Sequence, residues 1–225
     1  MVIFIVFIIL KGVAIAMIKG GCLEDVLIYT SEAEERIKNS VGVADFYHAL
    51  KRFDAETYIH SEEVARLAVM IAKQRGFSDE RLVNIAISGY LHDIGKIFTG
   101  INIIGKKGSL NPEEYSIIRE HPLVGYRHLK NFIDDEEILL GVLQHHERLD
   151  GSGYVSNLHE EEISEFGKII AVADVFSAIT SARPYKKACS CNYALQQMIN
   201  SKGLDYMAIN TLIHLFLDGK VVESV

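Results

Sequence analysis

Through most of the chain apolar residues recur at intervals of three and four, and no stretch alternates strictly between apolar and polar, so the pattern predicts helices rather than strands. Residues 23–53 form an amphipathic helical stretch with a polar break near Asn39-Ser40. A second helix is predicted over about 54–75, with Gly76 as its C-terminal stop. Ser78 is the cap expected for a helix running to about His92. Asn111-Pro112-Glu113-Glu114 opens another, with proline at the first helical position and a carboxylate three residues after the cap. Asp134 and Glu137 suggest a further capping box ahead of EILLGVLQHHERL, and GKIIAVADVFSAIT at 167–180 reads as a buried helix with small residues on one face. Helices in this number joined by short loops imply an all-α domain.

Residues 1–18, MVIFIVFIILKGVAIAMI, stand apart because they are apolar except for Lys11 and Gly12. A membrane anchor is one reading: about a dozen Ile, Val, Leu and Phe at roughly −0.3 to −0.6 kcal/mol each offset a central lysine at roughly +2.5 to +3.5. A soluble chain that starts at Met17 is an equal alternative. A cleaved signal peptide fits poorly, since no basic stretch precedes the apolar run. As an anchor, the segment carries Lys11 and Lys19 toward its C-terminal end. The positive-inside bias then leaves the remainder cytoplasmic, held at the inner face of the membrane.

The chain has 225 residues, enough to bury a core unaided, and its 24% charged and 49% hydrophobic content fits neither a disordered chain nor a polytopic membrane protein. Lys plus Arg is 23 against 30 Asp plus Glu, a net charge of −7, which argues against a broad grip on a nucleic acid polymer. An anionic ligand must therefore be captured locally. Three cysteines, Cys22, Cys189 and Cys191, give no disulfide framework and point to a reducing compartment.

Candidate chemistry lies in the histidines. Of nine, five stand beside a carboxylate, another histidine or a helix end: His60, His92, His121, His145 and His146. His92-Asp93, read as consecutive residues on a helix about 100° apart, can line one cavity, and the carboxylate is then free to bridge two cations. His145-His146 repeat that spacing. Glu56 and His60 are four residues apart on one predicted helix face, so a carboxylate and an imidazole can share a metal there. Asp174 interrupts an apolar helix, where a carboxylate is costly without a cation or strong donors. This nitrogen and oxygen set, without a thiolate, suits Fe(II), Mn(II) or another octahedral divalent ion.

The ordered blocks YIHSEEVA around His60, HDIGK at 92–96, His121-Pro122 with Gly125, HHERLDGSGYV at 145–155 and IIAVADVFSAITSARPYK at 169–186 resemble the HD-GYP subgroup of HD-domain phosphohydrolases over about residues 45–205. The resemblance implies an all-α HD-domain helical bundle with a buried site for two or three divalent metals, and hydrolysis of cyclic di-GMP to pGpG or GMP by a metal-bridging hydroxide. It implies His60, His92, Asp93, His121, His145, His146 and Asp174 as metal ligands, and Glu56 as the extra carboxylate of three-metal members. Asp93 and Lys96 would be catalytic. Lys96, Arg183 and Lys186 would hold substrate phosphates, with Tyr154 as the aromatic of the GYP loop. A diguanylate cyclase-type protein is the partner it suggests. The corresponding division of the chain is an apolar segment at 1–18, a helical lead-in at 19–44 and a catalytic domain at 45–220.

Two departures from that family matter most. Val155 replaces the proline of the GYP loop, which frees a backbone angle otherwise fixed near −65° but removes no ligand. Ser177 stands where an aspartate commonly follows Asp174 by three residues. Gly100 and Lys107 replace frequent prolines after HDIGK, and greater mobility is expected there. Two other functions keep much of the same pattern: an HD-domain hydrolase of another cyclic or linear dinucleotide, and a silent domain that only binds a dinucleotide or docks a partner. Complete HD and HH pairs weigh against the silent reading.

Overall fold

A computed structural model describes residues 21–99, 103, 106, 109–181 and 188–221. Helices run over Gly21–Asn39 (α1), Val43–Phe53 (α2), Ala55–Gln74 (α3), Asp79–Leu91 (α4), Lys96–Thr99 (α5), Pro112–Ile118 (α6), His121–Leu129 (α7), Glu136–Gln144 (α8), Glu165–Thr180 (α9), Cys191–Ile199 (α10) and Tyr206–Leu217 (α11). Among the described residues there is no strand, and one isolated bridge joins Asp150 to His159. The fold is all-α, as the periodicity predicts.

Helix α3 is the axis of the bundle. Its apolar stripe, including Val64, Ala65, Ala68, Val69 and Ile71, is fully covered, by α4 on one side and α9 on another. The crossing with α4 is close because Gly89 has no side chain: a Cβ there would lie 2.6 Å from Ala65 Cα. Gly141 does the same for α4 and α8, where a Cβ would meet Ser88 Oγ at 2.0 Å. That hydroxyl donates instead to Ile138 O at 2.9 Å. α1 buries Val26, Ala33 and Ile37 in the same core and ties its outer face to α4 through Tyr29–Asp79 (2.7 Å) and Arg36–Glu80 (2.8 Å).

The ends of the helices follow their side chains, with some departures from the sequence pattern. Asn111 and Glu114 form the expected capping box. At α8 the cap is Asp135, which accepts from Ile138 N at 3.2 Å, not Asp134; Glu137 is drawn off to Arg81 at 2.7 Å. Ser78 occupies the N-cap of α4 without a side-chain bond. The segment from Asn111 to His121 is two helices, since α6 ends at Ile118 and α7 begins at His121. His92-Asp93 and His145-His146, expected on helices, instead lie in the turns just after α4 and α8.

Residues 1–18, on which the anchor and Met17 readings rest, lie outside the described residues, as do Gly100, Lys107, Arg183 and Lys186. No helix among the described residues is long and apolar enough to cross a membrane.

Candidate metal centre

Three helix ends meet at one point. The last carbonyls of a helix have no partner in their own ladder, and an imidazole placed there can satisfy one. His92 Nδ1 donates to Gly89 O at 2.8 Å, His145 Nδ1 to Val142 O at 2.7 Å and His121 Nδ1 to Ile118 O at 2.7 Å. The spacing is i to i−3 in every case. A carbonyl only accepts, so each of these rings holds a proton on Nδ1 and, when neutral, presents a lone pair at Nε2.

Those lone pairs converge. His121 Nε2 and His145 Nε2 are 3.2 Å apart, and Asp93 Oδ1 lies 3.0 Å from the first and 3.9 Å from the second. His92 Nε2 and Asp93 Oδ1 are buried and make no hydrogen bond. Acceptors facing one another in a dry interior repel unless a cation or a proton sits among them. This orphaned, convergent set fits a divalent metal, and anchoring of the far ring nitrogen is the arrangement that orients metal-binding histidines. Two overlapping groups have donor atoms close enough to share an ion: Asp93, His121, His145 and His146, and His60, His92 and Asp93. Asp93 belongs to both.

The second half of the site is built across the bundle. His60, on α3, has Nε2 2.9 Å from Asp174 Oδ1 on α9 and Nδ1 2.9 Å from Ser177 Oγ. Asp174 Oδ2 lies 3.9 Å from His146 Nδ1, so this carboxylate stands between the two halves.

Burial and charge set the ionisation of these groups. Burial opposes ionisation of Asp93, but the Lys96 ammonium and His92 outweigh it and hold the carboxyl well below its usual range. Lys96 Nζ donates to Asp93 Oδ2. Asp174 is likewise opposed by burial, and the histidines around it, His60 first and then His146 and His92, hold it well below its usual range. His145 is pushed well below the usual imidazole value by burial and by its histidine neighbours, and burial takes His146 down to about 3. For His92 burial works against protonation, yet the adjoining Asp93 raises its pKa.

The loop after α8 is tied down despite Val155. Glu147, 3% exposed, accepts from Ser156 N at 2.6 Å and Leu158 N at 3.0 Å, and Tyr154 N donates to His146 O at 3.2 Å. A Cβ at Gly153 would lie 2.4 Å from Glu147 Cα, so only glycine lets the loop press so close. The expectation that loss of the proline frees this backbone is therefore corrected: the Glu147 carboxylate supplies the constraint. The Tyr154 ring stacks on His146 with centroids 4.6 Å apart, and Arg119 Cζ sits 4.6 Å from the Tyr154 centroid. Tyr115, Arg119, Tyr154 and Val155 line a cavity of about 330 Å³ beside the site.

The structure thus brings together His60, His92, Asp93, His121, His145, His146 and Asp174, with Lys96 and Tyr154 at their edge. It does not bring Glu56, which is exposed and lies outside both groups. Sequence reasoning passed over Glu63, Glu147 and Arg119. Glu147 directly follows the HH pair, a position that could have marked it.

The family model described as HD domain matches residues 42–207. The chain belongs to the HD domain family. This HD-domain chain is 39% identical over 155 residues to the cyclic di-GMP phosphodiesterase PA4108 of Pseudomonas aeruginosa, covering 68% of this chain and 37% of that protein. It is 36% identical over 165 residues to 3'3'-cGAMP-specific phosphodiesterase 1 of Vibrio cholerae, covering 73% of this chain and 38% of that protein. The chain therefore spans less than half the length of these curated relatives. Among solved structures, an HDG"Y"P protein from Bdellovibrio bacteriovorus shares the fold, with a TM-score of 0.61 at 16% identity over 87% of this chain and 71% of that one.

Proposed function

We propose that the chain is a metal-dependent phosphodiesterase that hydrolyses cyclic di-GMP to pGpG or GMP. The carrying observation is the meeting of His121 Nε2, His145 Nε2 and Asp93 Oδ1, an acceptor cluster that needs a cation. The names of the HD-domain relatives support a cyclic dinucleotide as substrate. His60, His92, Asp93, His121, His145, His146 and Asp174 would hold two divalent ions that share Asp93, with Fe(II) or Mn(II) suited to these nitrogen and oxygen donors. Bound ions of this kind lower the pKa of water and stabilise charge on a phosphoryl group.

The chain's own residues do the rest. Asp93 orders the two donor groups around itself. Lys96, already on the Asp93 carboxylate, brings a positive charge to the place where the phosphate would lie. Tyr154 covers His146 and offers a flat face to a base, with Arg119 behind it. Arg183 and Lys186 complete the reading as phosphate contacts. Residues 45–220 would be the catalytic domain, working on the cytoplasmic side, with the Tyr154 loop as the place where a diguanylate cyclase-type partner docks.

3'3'-cGAMP is the second candidate substrate, favoured by the Vibrio relative named for it. The test is anaerobic purification followed by incubation with Fe(II) or Mn(II) and each dinucleotide, with products separated by chromatography. Formation of pGpG or GMP from cyclic di-GMP, abolished by a chelator, is expected. Full metal loading with cleavage of 3'3'-cGAMP alone would transfer the activity to that substrate, and failure to bind metal would overturn the reading.

A further inference from the structure

Glu63 is a carboxylate with no role in the site described so far. It lies one helical turn after His60 on α3 and is 7% exposed. Its Oε2 accepts from Ser177 Oγ at 2.7 Å and from Ser181 Oγ at 2.6 Å, while Oε1 is buried without a partner. A half-satisfied buried carboxylate is a poor stability device, because its desolvation is compensated on one side only. Its reach toward the site explains its presence better. The one proton of the Ser177 hydroxyl is directed at Glu63, so the oxygen turns a lone pair to His60 Nδ1, 2.9 Å away. In the neutral ring Nδ1 then carries the proton, and Nε2 is left as a lone pair facing Asp174 Oδ1 at 2.9 Å. Those are again two acceptors in contact, the condition found at His121 and His145.

We propose that Glu63 is a positioning residue for His60, acting through Ser177 to hold the imidazole in the tautomer and orientation that present Nε2 to a divalent metal. In this chain the carboxylate comes from α3 and is relayed by a hydroxyl on α9. Ser181 fixes the same carboxylate oxygen from the next turn. The proposal rests on the reading that His60 holds a metal ion.

The test is Mn(II) binding to the full chain, followed by the electron paramagnetic resonance signal of free Mn(II), for wild type, Glu63→Met, Ser177→Ala, Glu63→Met/Ser177→Ala and Glu63→Met/Ser177→Asp. Methionine keeps the length of the side chain and removes the acceptor, which a glutamine amide oxygen would replace. Glu63→Met and Ser177→Ala should each weaken part of the Mn(II) binding about tenfold or more, the scale expected when a histidine loses its outer partner. The Glu63→Met/Ser177→Ala pair should lose no more than either single change, since both cut one relay. Glu63→Met/Ser177→Asp, with a carboxylate set directly on His60, should regain affinity to within about threefold of wild type, which general damage to the core would not allow. Unchanged Mn(II) affinity in a folded Ser177→Ala, or losses that add in the double variant, would overturn the relay while leaving the metal site standing. A wild-type chain that binds no Mn(II) would instead overturn the metal reading itself.

Discussion

The two halves of the site are held in place by different means. His92, His121 and His145 are each fixed by a carbonyl three residues earlier in their own helix turn, at 2.7–2.8 Å. His60 is fixed by Ser177, more than a hundred residues away in sequence, and through Ser177 by Glu63, while Asp174 faces its other ring nitrogen. The first half needs only that three helix ends be brought together, since each end orients its own ring. The second half depends on the registry of α3 against α9, where a shift of a fraction of an ångström separates a ring from its partners. Backbone carbonyls cannot be removed by substitution, so the local half is vulnerable through packing and the long-range half through single polar atoms.

The largest effect is expected from Gly95→Ala, aimed at the packing of the local half. A Cβ at Gly95 would stand 2.0 Å from His121 O and 2.7 Å from Gly125 N, both rigid backbone atoms. Denaturant unfolding should show a loss of about 3–5 kcal/mol or failure to fold, the range of severe overpacking against backbone. A near-neutral result would mean that the turn carrying Asp93 does not press on α7 as described.

The long-range half should respond differently: Glu63→Met keeps the length of the side chain but removes the acceptor, so the midpoint of unfolding should move little while Mn(II) affinity falls about tenfold. Equal losses of fold and affinity would erase the distinction between the halves.

Glu147→Gln tests the loop that lays Tyr154 on His146. An amide nitrogen cannot accept from Ser156 N or Leu158 N, so one buried N–H loses its partner at a cost of about 1–3 kcal/mol. KM for the dinucleotide should rise several-fold while metal content stays at the wild-type level. Smallest should be Arg119→Ala, which removes a cation from beside Tyr154 and is expected to raise KM about threefold with kcat unchanged. A fall in kcat alone would place Arg119 in the chemistry instead.

The parts legible in the sequence were those with a local signature. Helical class followed from three- and four-residue periodicity, and the Asn111–Glu114 box from residue types three apart. The HD and HH pairs and the isolated Asp174 drew attention to side chains that the fold does gather. The end of α4 was read to within a residue, but that of α8 was not legible, because an imidazole bonding to its own helix stands there rather than a glycine or proline. Asp134 and Asp135 are adjacent and equally able to cap, and in the fold it is Asp135 that does so, its second oxygen held by Asn84 Nδ2 at 2.8 Å. Glu56 and Glu63 show the limit most plainly. Both lie within one turn of His60, yet Glu56 faces outward and Glu63 faces α9, a difference set by the packing of two helices distant in sequence.

The central claim is that one carboxylate, Asp93, joins the two donor groups, and it is tested most directly by counting Mn(II) per chain in wild type and Asp93→Asn. Wild type should hold two ions, and Asp93→Asn should lose binding in both groups, falling to fewer than one ion per chain while remaining folded. If Asp93→Asn kept both ions, Asp93 would not be the shared ligand and the two groups would have to be separate sites.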